Sequence, residues 1–162
     1  MKRIFTIIAV VVMALAGSGL MLAQGTADPF LGTWKLNVAK STYTGATAPQ
    51  SEMRTNEAQG NAVKVSVEGI AADGSRIAYT FTTDLDGKPV PVTGSGSPGG
   101  ADMVAVKRIN SNRHTATSTK AGQVVRTFRD VVSEDGKVLT VAGKATDVNG
   151  QTVSVVTVWD KQ

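Results

Sequence analysis

Histidine and cysteine, two residues that often carry out chemistry in enzymes, are scarce in this 162-residue chain. There is one histidine, His114, and there is no cysteine, which excludes thiol nucleophiles and thiolate metal ligands. No acidic residue lies on the predicted strand of His114, so a Ser-His-Asp arrangement would have to be assembled from distant loops. His114 alternates with Ala116 and Ser118, a pattern that we interpret as a small, solvent-exposed polar face. We therefore predict a protein that is not an enzyme, with no catalytic residue, no metal site and no cofactor.

Two arginines on one predicted strand are the candidates for recognising a ligand. Alternation over residues 123–132 puts Arg129 on one face and Arg126 on the other with Asp130, so whichever face is inward carries an arginine. A buried arginine must be paired or must bind an anion, because an unpartnered buried charge is costly. The alternative is that both arginines flank Asp130 on a solvated edge. The sequence leaves open which of the two faces the interior.

The elements that would position these residues are strands. Val63, Val65 and Val67 alternate with polar residues, as a half-buried strand requires. Turn sequences of the Asp-Gly or Asn-Gly type follow at short intervals, and both residues of such pairs tolerate positive φ. The predicted strands are Thr33–Val38, Ser51–Glu57, Ala62–Ala71, Arg76–Asp84, Pro89–Thr93, Asp102–Asn110, Arg113–Lys120, Gln123–Val132, Lys137–Thr146 and Thr152–Asp160.

This succession of hairpins predicts an all-β fold. Eight to ten strands with short turns and no crossover helix favour an antiparallel meander, and closure into an up-and-down barrel would remove its exposed edges. A two-sheet β-sandwich is the alternative. Proline cannot donate to a ladder, so the strand Pro89–Thr93 is predicted at an edge, and residues 95–100 are predicted to form a mobile loop.

The first residues read as an export signal rather than as part of the fold. Lys2 and Arg3 precede an apolar run too short for a comfortable membrane span, and small residues then allow cleavage after Ala23 or Ala27. We predict a signal peptide over residues 1–23, whose helix precedes one domain over residues 28–162. The alternative is an uncleaved anchor helix.

Cleavage would also change what the charge implies. Without Lys2 and Arg3, the excess of 17 basic over 13 acidic residues falls from +4 to +2, so the basic composition does not indicate nucleic-acid binding. We predict a periplasmic or secreted protein with no nucleic-acid partner and no stable membrane anchor. The sequence does not indicate an oligomeric state.

The stretch FLGTWKLN at residues 30–37, the long run of hairpins and the ending VVTVWDK resemble the calycin superfamily. The pattern is most similar to fatty-acid-binding proteins and lipocalins, and to uncharacterised exported lipocalin-like domains of bacteria. The resemblance implies that Gly32 and Trp34 form the Gly-x-Trp signature of the first strand. It also implies that the last strand, with Trp159, returns beside the first to close the barrel.

The sequence departs from the fatty-acid-binding pattern in two places. Residues 39–50 contain a glycine, a proline and several threonines, so the helical lid of that family is not expected. Thr157 and Trp159 stand where that family has an Arg-x-Tyr that holds a carboxylate. Arg129 lies nearer the place where the family has a second inward arginine, if a two-residue longer turn is allowed.

Two functions of different kinds follow. The first is a barrel that binds a small apolar or amphipathic molecule in a cavity of several hundred Å³. Its lining residues would be Val65, Val67, Tyr79, Phe81 and Arg129. The second is a structural or protein-interaction module with a filled interior, which acts through its surface or through the edge at residues 89–93.

Overall fold

The computed structural model describes residues 28–146 and 151–162, which form an 11-stranded antiparallel sheet. The predicted signal peptide and the predicted Asn149–Gly150 turn lie outside the described residues. No helix in the described ranges is long and apolar enough to cross a membrane. The strands are β1 (Gly32–Thr44), β2 (Ser51–Gln59), β3 (Ala62–Ile70), β4 (Arg76–Thr83), β5 (Asp86–Pro91), β6 (Thr93–Ser95), β7 (Met103–Asn110), β8 (Arg113–Lys120), β9 (Gln123–Val132), β10 (Val138–Thr146) and β11 (Thr152–Lys161).

The strand order confirms the predicted up-and-down barrel. Its sequence is β5-β7-β8-β9-β10-β11-β1-β2-β3-β4-β6, and neighbouring strands are antiparallel. The last strand lies beside the first, with Trp159 opposite Leu36, as the calycin-like pattern predicts. A single curved sheet therefore replaces the alternative of two packed sheets.

The barrel is nearly closed by residues 86–95. The first part of this stretch, β5, pairs with β7, and the second part, β6, pairs with β4. No ladder joins β4 directly to β5, which confirms the predicted edge position of the strand with Pro89. Apolar side chains of this region, including Phe81, Leu85, Val90 and Val92, pack against β7 and β8 and keep the wall apolar where backbone pairing is missing.

The first strand is longer than predicted. It does not end at Val38 but continues to Thr44, and its pairing with β11 shifts between Asn37 and Thr42. The Ser41 hydroxyl accepts a hydrogen bond from the backbone N–H of Val158 at this irregularity, at 3.0 Å. At a β-bulge, extra residues in one strand interrupt the ladder, and the pairing then resumes. The interruption also breaks the alternation of inward and outward residues by which a strand is recognised in a sequence. Residues 39–44, which were not predicted as strand, therefore belong to β1.

One end of the barrel is closed by a compact apolar core. Phe30, Trp34, Leu36, Leu139 and Trp159 are buried there together with residues of β9 and β10. The two tryptophans thus pack where the first and last strands meet. Gly32 precedes this core with φ of 114°, a conformation that favours glycine, so the glycine of the Gly-x-Trp signature has a backbone role.

Candidate ligand-binding site

The interior of the barrel contains a cavity of about 730 Å³. Phe30 lies at its closed end, where the ring stacks on His114 with centroids 3.7 Å apart. Residues of the connections at the opposite end, including Thr47 and Pro98, line the other side of the cavity together with Lys120 at the end of β8. The volume is within the range of small-molecule pockets, so the barrel is not filled by its own side chains.

The predicted apolar lining residues share one wall of this cavity. Val67 pairs with Tyr79 and Val65 pairs with Phe81 across β3 and β4, so all four side chains lie on the inward face. Their small and aromatic surfaces give the cavity a largely apolar wall. The other apolar lining residues include Val63, Leu85, Val106, Val125, Phe128, Val141, Val153 and Val155.

The arginine that lines the cavity is Arg126, not Arg129. Asp130 and Val132 are buried on the inward face of β9, and Arg126 belongs to that face. Arg129 has the opposite orientation and is exposed. It therefore does not line the cavity, contrary to the prediction. The Arg126 guanidinium lies 4.8 Å from the centroid of the Phe128 ring, and its Nε is buried with no hydrogen-bond partner in the described part of the chain.

A group of polar side chains surrounds Arg126. Tyr43, Glu52 and Tyr79 line the same cavity, and the charges of Arg126 and Glu52 affect both tyrosines. Burial raises the pKa of Glu52 to about 7, an effect that Arg126 only partly offsets. Burial and the Glu52 carboxylate raise the pKa of Tyr79 to about 12, so its hydroxyl stays protonated.

A second polar group lies toward the closed end. Arg54 forms a buried salt bridge with Asp130, with 3.0 Å between Nη1 and Oδ2. Arg54 Nε donates to Asn56 Oδ1 at 3.0 Å, and Asn56 Nδ2 donates to the backbone oxygen of Phe30 at 2.7 Å. This chain of contacts links β9, β2 and the segment that closes the barrel. The charge of Asp130 is therefore paired inside the protein rather than solvated.

His114 belongs to this second group, and its predicted exposure is wrong. Only 4% of His114 is exposed, and Ala116 and Ser118 of the same face are also buried. This face of β8 is therefore inward, and the small size of Ala116 and Ser118 suits the limited space of the barrel interior. Burial, reinforced by the charge of Arg108, lowers the pKa of His114 to about 4. The imidazole is therefore neutral near pH 7.

Four buried polar side-chain atoms in the described residues have no hydrogen-bond partner, and all four belong to residues that line this cavity. Buried polar atoms in native proteins are nearly always paired, because an unpaired group costs about 1–3 kcal/mol. The four atoms without a protein partner are therefore concentrated in the residues around one cavity. The atoms are Tyr43 Oη, His114 Nε2, Arg126 Nε and Asp130 Oδ1.

The last strand offers no such unpaired atom. Thr157 accepts a hydrogen bond from Trp159 Nε1 at 2.9 Å and donates to the backbone oxygen of Val141 at 3.4 Å. These are the two positions at which the resembling family has a carboxylate-binding pair. The buried polar atoms without a partner are instead on β1, β8 and β9.

The polar residues of β2 that line the cavity were not predicted from the sequence. Glu52, Arg54 and Asn56 alternate with residues that are polar except for Met53, which is exposed, so hydrophobic periodicity does not show which face is inward. The pairing register between β1 and β2 could have identified them. Arg54 pairs with Trp34, which is buried in the barrel core, and residues opposite each other in a ladder share a face.

Nothing in the described ranges groups three or more metal-ligating side chains of the His, Cys, Asp or Glu type. The polar groups of the cavity are instead arranged as isolated donors and acceptors among apolar side chains. Such an arrangement is typical of sites that orient an organic ligand.

No family model and no curated protein sequence matches the chain. Similar solved structures include zebrafish ileal bile acid-binding protein complexed with cholic acid. It is 13% identical over 83% of this chain and 99% of that chain, with a TM-score of 0.49. Lobster apocrustacyanin A1 is 10% identical over 85% of this chain and 63% of that chain, with a TM-score of 0.44. At this level of similarity, the functional proposal depends on the cavity of this chain and not on either protein.

Proposed function

We propose that this protein is a binding protein that holds a small apolar or amphipathic molecule inside its barrel. The observation that carries the proposal is the cavity of about 730 Å³ and its largely apolar lining. The apolar wall, which includes Val65, Val67 and Phe81, would supply most of the binding free energy through burial of apolar surface. Polar side chains of the lining, including Tyr43, Glu52 and Arg126, would orient the molecule and select among ligands of similar size.

The second candidate function was a filled structural module, which requires a packed interior. The cavity argues against it. The edge that such a module would use also offers little apolar surface to a partner, because Val90 and Val92 pack against the apolar residues of β7 and β8. Binding inside the barrel is therefore the better supported function.

Binding without catalysis fits the residues around the cavity. His114 is stacked on Phe30, and its neighbour Asp130 is engaged by Arg54. The described lining contains no serine and no cysteine that His114 could activate as a nucleophile. We infer that the polar groups serve recognition.

We also propose that the protein acts after export. The support is the signal-peptide pattern of residues 1–23, together with the position of Phe30 in the barrel core. Cleavage after Ala23 or after Ala27 would leave Gln24 or Asp28 as the first residue, and both spare Phe30. Asp28 itself forms an ion pair with Arg108, so even the shorter mature chain would keep this contact.

Native mass spectrometry of the protein purified from its own source tests both proposals. We expect a chain that begins at Gln24 or Asp28, with a noncovalently bound small molecule that is released on denaturation. A chain that still begins at Met1 would contradict export. A chain that is always empty would contradict a tightly held natural ligand.

A further inference from the structure

One side of the outer wall of the barrel carries unpaired positive charge. The strands β7, β8, β9 and β10 contain a single acidic residue, Asp130, which is buried and pairs with Arg54. Among the exposed basic residues of these strands that do not line the cavity, Arg108 forms an ion pair with Asp28. The other four form no ion pair with a described residue, and we call them the basic face: Lys107, Arg113, Arg129 and Lys144.

The pairing register holds these four charges close together. Arg113 on β8 and Lys144 on β10 are diagonal neighbours of Arg129 on β9, with about 7–8 Å between Cβ atoms. Lys107 is in the same ladder row as Arg129 but two strands away, at about 10 Å. Like charges at these distances repel one another, and the repulsion is relieved when anions lie over them.

The strands on the other side of the barrel carry charges of both signs. Lys64 on β3, for example, lies directly opposite Glu57 on β2. At the border of the basic face, Asp86 lies opposite Lys107, but the Asp86 carboxylate is already bound by Lys88. The sign of the exposed charge is therefore uniform over β7 to β10 and mixed over β2 and β3.

The same strands carry the two most exposed large apolar side chains of the described residues. Ile109 of β7 is 51% exposed and Val124 of β9 is 56% exposed, and neither lines the cavity. They lie near opposite ends of the basic face, because Ile109 precedes the β7–β8 turn and Val124 follows the β8–β9 turn. In the headgroup region of a bilayer, cations contact anionic phosphates while apolar side chains enter the acyl boundary, so this combination fits a membrane surface.

Other anionic partners fit this face less well. Proteins that bind single-stranded nucleic acid stack the bases on aromatic side chains. The one Phe, Tyr or Trp residue of β7 to β10 is Phe128, which lines the cavity instead. The core of a protein–protein interface is depleted of charged residues, whereas charged residues occupy the centre of the basic face.

We propose that the basic face is a peripheral membrane-binding surface, by which the barrel docks on its side against a bilayer that contains anionic lipids. The proposal goes beyond ligand binding in the cavity and does not depend on it. The two sites lie on opposite surfaces of the same strand, since Arg126 and Phe128 line the cavity while Arg129 is exposed outside. Docking of this kind is electrostatic and reversible, because each basic residue near the surface contributes only about fivefold to partitioning.

Cosedimentation with lipid vesicles tests the proposal. The vesicles contain phosphatidylcholine and phosphatidylglycerol in a ratio of about two to one, and vesicles of phosphatidylcholine alone are the comparison. We expect the unmodified protein to bind the anionic vesicles at least about tenfold more tightly at about 0.1 M salt. We expect this binding to be lost at about 1 M salt, where electrostatic interactions are screened beyond about 3 Å.

A double variant tests the location of the surface. Arg113→Gln with Arg129→Gln removes two neighbouring charges of the basic face, and we expect binding to anionic vesicles to weaken by about tenfold or more. Lys35→Gln with Arg76→Gln is the matched control, because it removes the same charge from exposed positions on β1 and β4. We expect the control to bind nearly as the unmodified protein does. Residues 1–27 are the same in all three proteins, so any contribution from them cancels.

Equal binding of the unmodified protein to both kinds of vesicle, or no binding to either, would overturn the proposal. Equal weakening by the two double variants would show that only the overall charge matters, and would overturn the basic face as the docking surface. Binding to a DNA duplex without binding to anionic vesicles would assign the face to nucleic acid instead of lipid.

Nile red binding, measured on the same samples, separates this proposal from the proposed function. Both double variants should bind the dye as the unmodified protein does, because none of the four substituted residues lines the cavity. Failure of the unmodified protein to bind Nile red would contradict ligand binding and leave the basic face standing. Intact Nile red binding without vesicle binding would contradict the basic face alone.

Discussion

At the scale of single residues, the largely apolar interior of the barrel also contains charged groups that are partly shielded from water. Glu52 shows this most clearly. Burial raises its pKa to about 7 from an ordinary value of 4.5. Between these two pH values the folded protein holds a proton that the unfolded chain has released. The contribution of Glu52 to stability therefore falls as the pH rises through this window, by about 3 kcal/mol at most.

We predict that Glu52→Gln removes this pH dependence. The variant and the unmodified protein should have similar free energies of unfolding near about pH 4, and the variant should be more stable by about 2–3 kcal/mol near about pH 8. Urea unfolding at several pH values measures the difference. His114 has an opposite effect, because its lowered pKa removes stability as the pH falls from 6.5 to about 4. This effect is common to both proteins and cancels.

Glu57→Gln is the control for this prediction, because Glu57 lies on the same strand but is exposed. We expect its stability to follow that of the unmodified protein at each pH. An equal pH dependence in Glu52→Gln and in the unmodified protein would contradict the burial of the Glu52 carboxyl.

At the scale of the elements, the weakest part of the wall is the stretch that carries β5 and β6. Gly94 is what allows β6 to pair closely with β4. Its φ is 105°, and a Cβ atom at this position would lie 2.1 Å from the backbone oxygen of Ala78. No such distance is tolerated, so any larger residue must push β6 away from β4.

We predict that Gly94→Ala separates β6 from β4 and destabilises the protein by about 1–3 kcal/mol beyond the cost of backbone strain. Amide hydrogen exchange should become faster in β4 and β6 and stay slow in β10 and β11. Gly74→Ala is the matched control, because Gly74 also has positive φ, at 86°, but has open space around it. Equal losses of stability in the two variants would show that strain alone, and not the close approach of the strands, explains the effect.

Most elements could be predicted from the sequence because alternation and turn residues are local signals. Ten of the strands were predicted near their observed positions. The extension of β1 was missed because its bulge interrupts the alternation between Asn37 and Thr42. The three-residue β6 was missed because a strand so short has no periodicity of its own.

The site was harder to predict because an alternating strand has two faces and the sequence does not say which is inward. Where one face was plainly apolar, as for Val65 and Val67, the inward face was clear. Arg126 and His114 lie on faces that mix polar and small residues, so their orientation follows only from pairing with neighbouring strands. The polar interior is thus a property of the register, which is set by the whole barrel.

At the scale of the whole molecule, a nearly closed wall surrounds a cavity that its own side chains do not fill. The adjacent residues Val155 and Val156 of β11 show how the wall separates the two environments. Val155 is 8% exposed and lines the cavity, whereas Val156 is 40% exposed on the outer face. A larger side chain at residue 155 therefore extends into the cavity, whereas the same side chain at residue 156 extends into solvent.

The central claim is that the interior of the barrel binds small apolar or amphipathic molecules, and a titration with Nile red tests it most directly. We predict saturable binding with enhanced fluorescence by the unmodified protein and by Val156→Phe. Val155→Phe should weaken binding by about tenfold or more, because the added ring occupies the cavity, while its free energy of unfolding changes by less than about 1.5 kcal/mol. No saturable binding by the unmodified protein, or equal binding by the two variants, would contradict a ligand site inside the barrel.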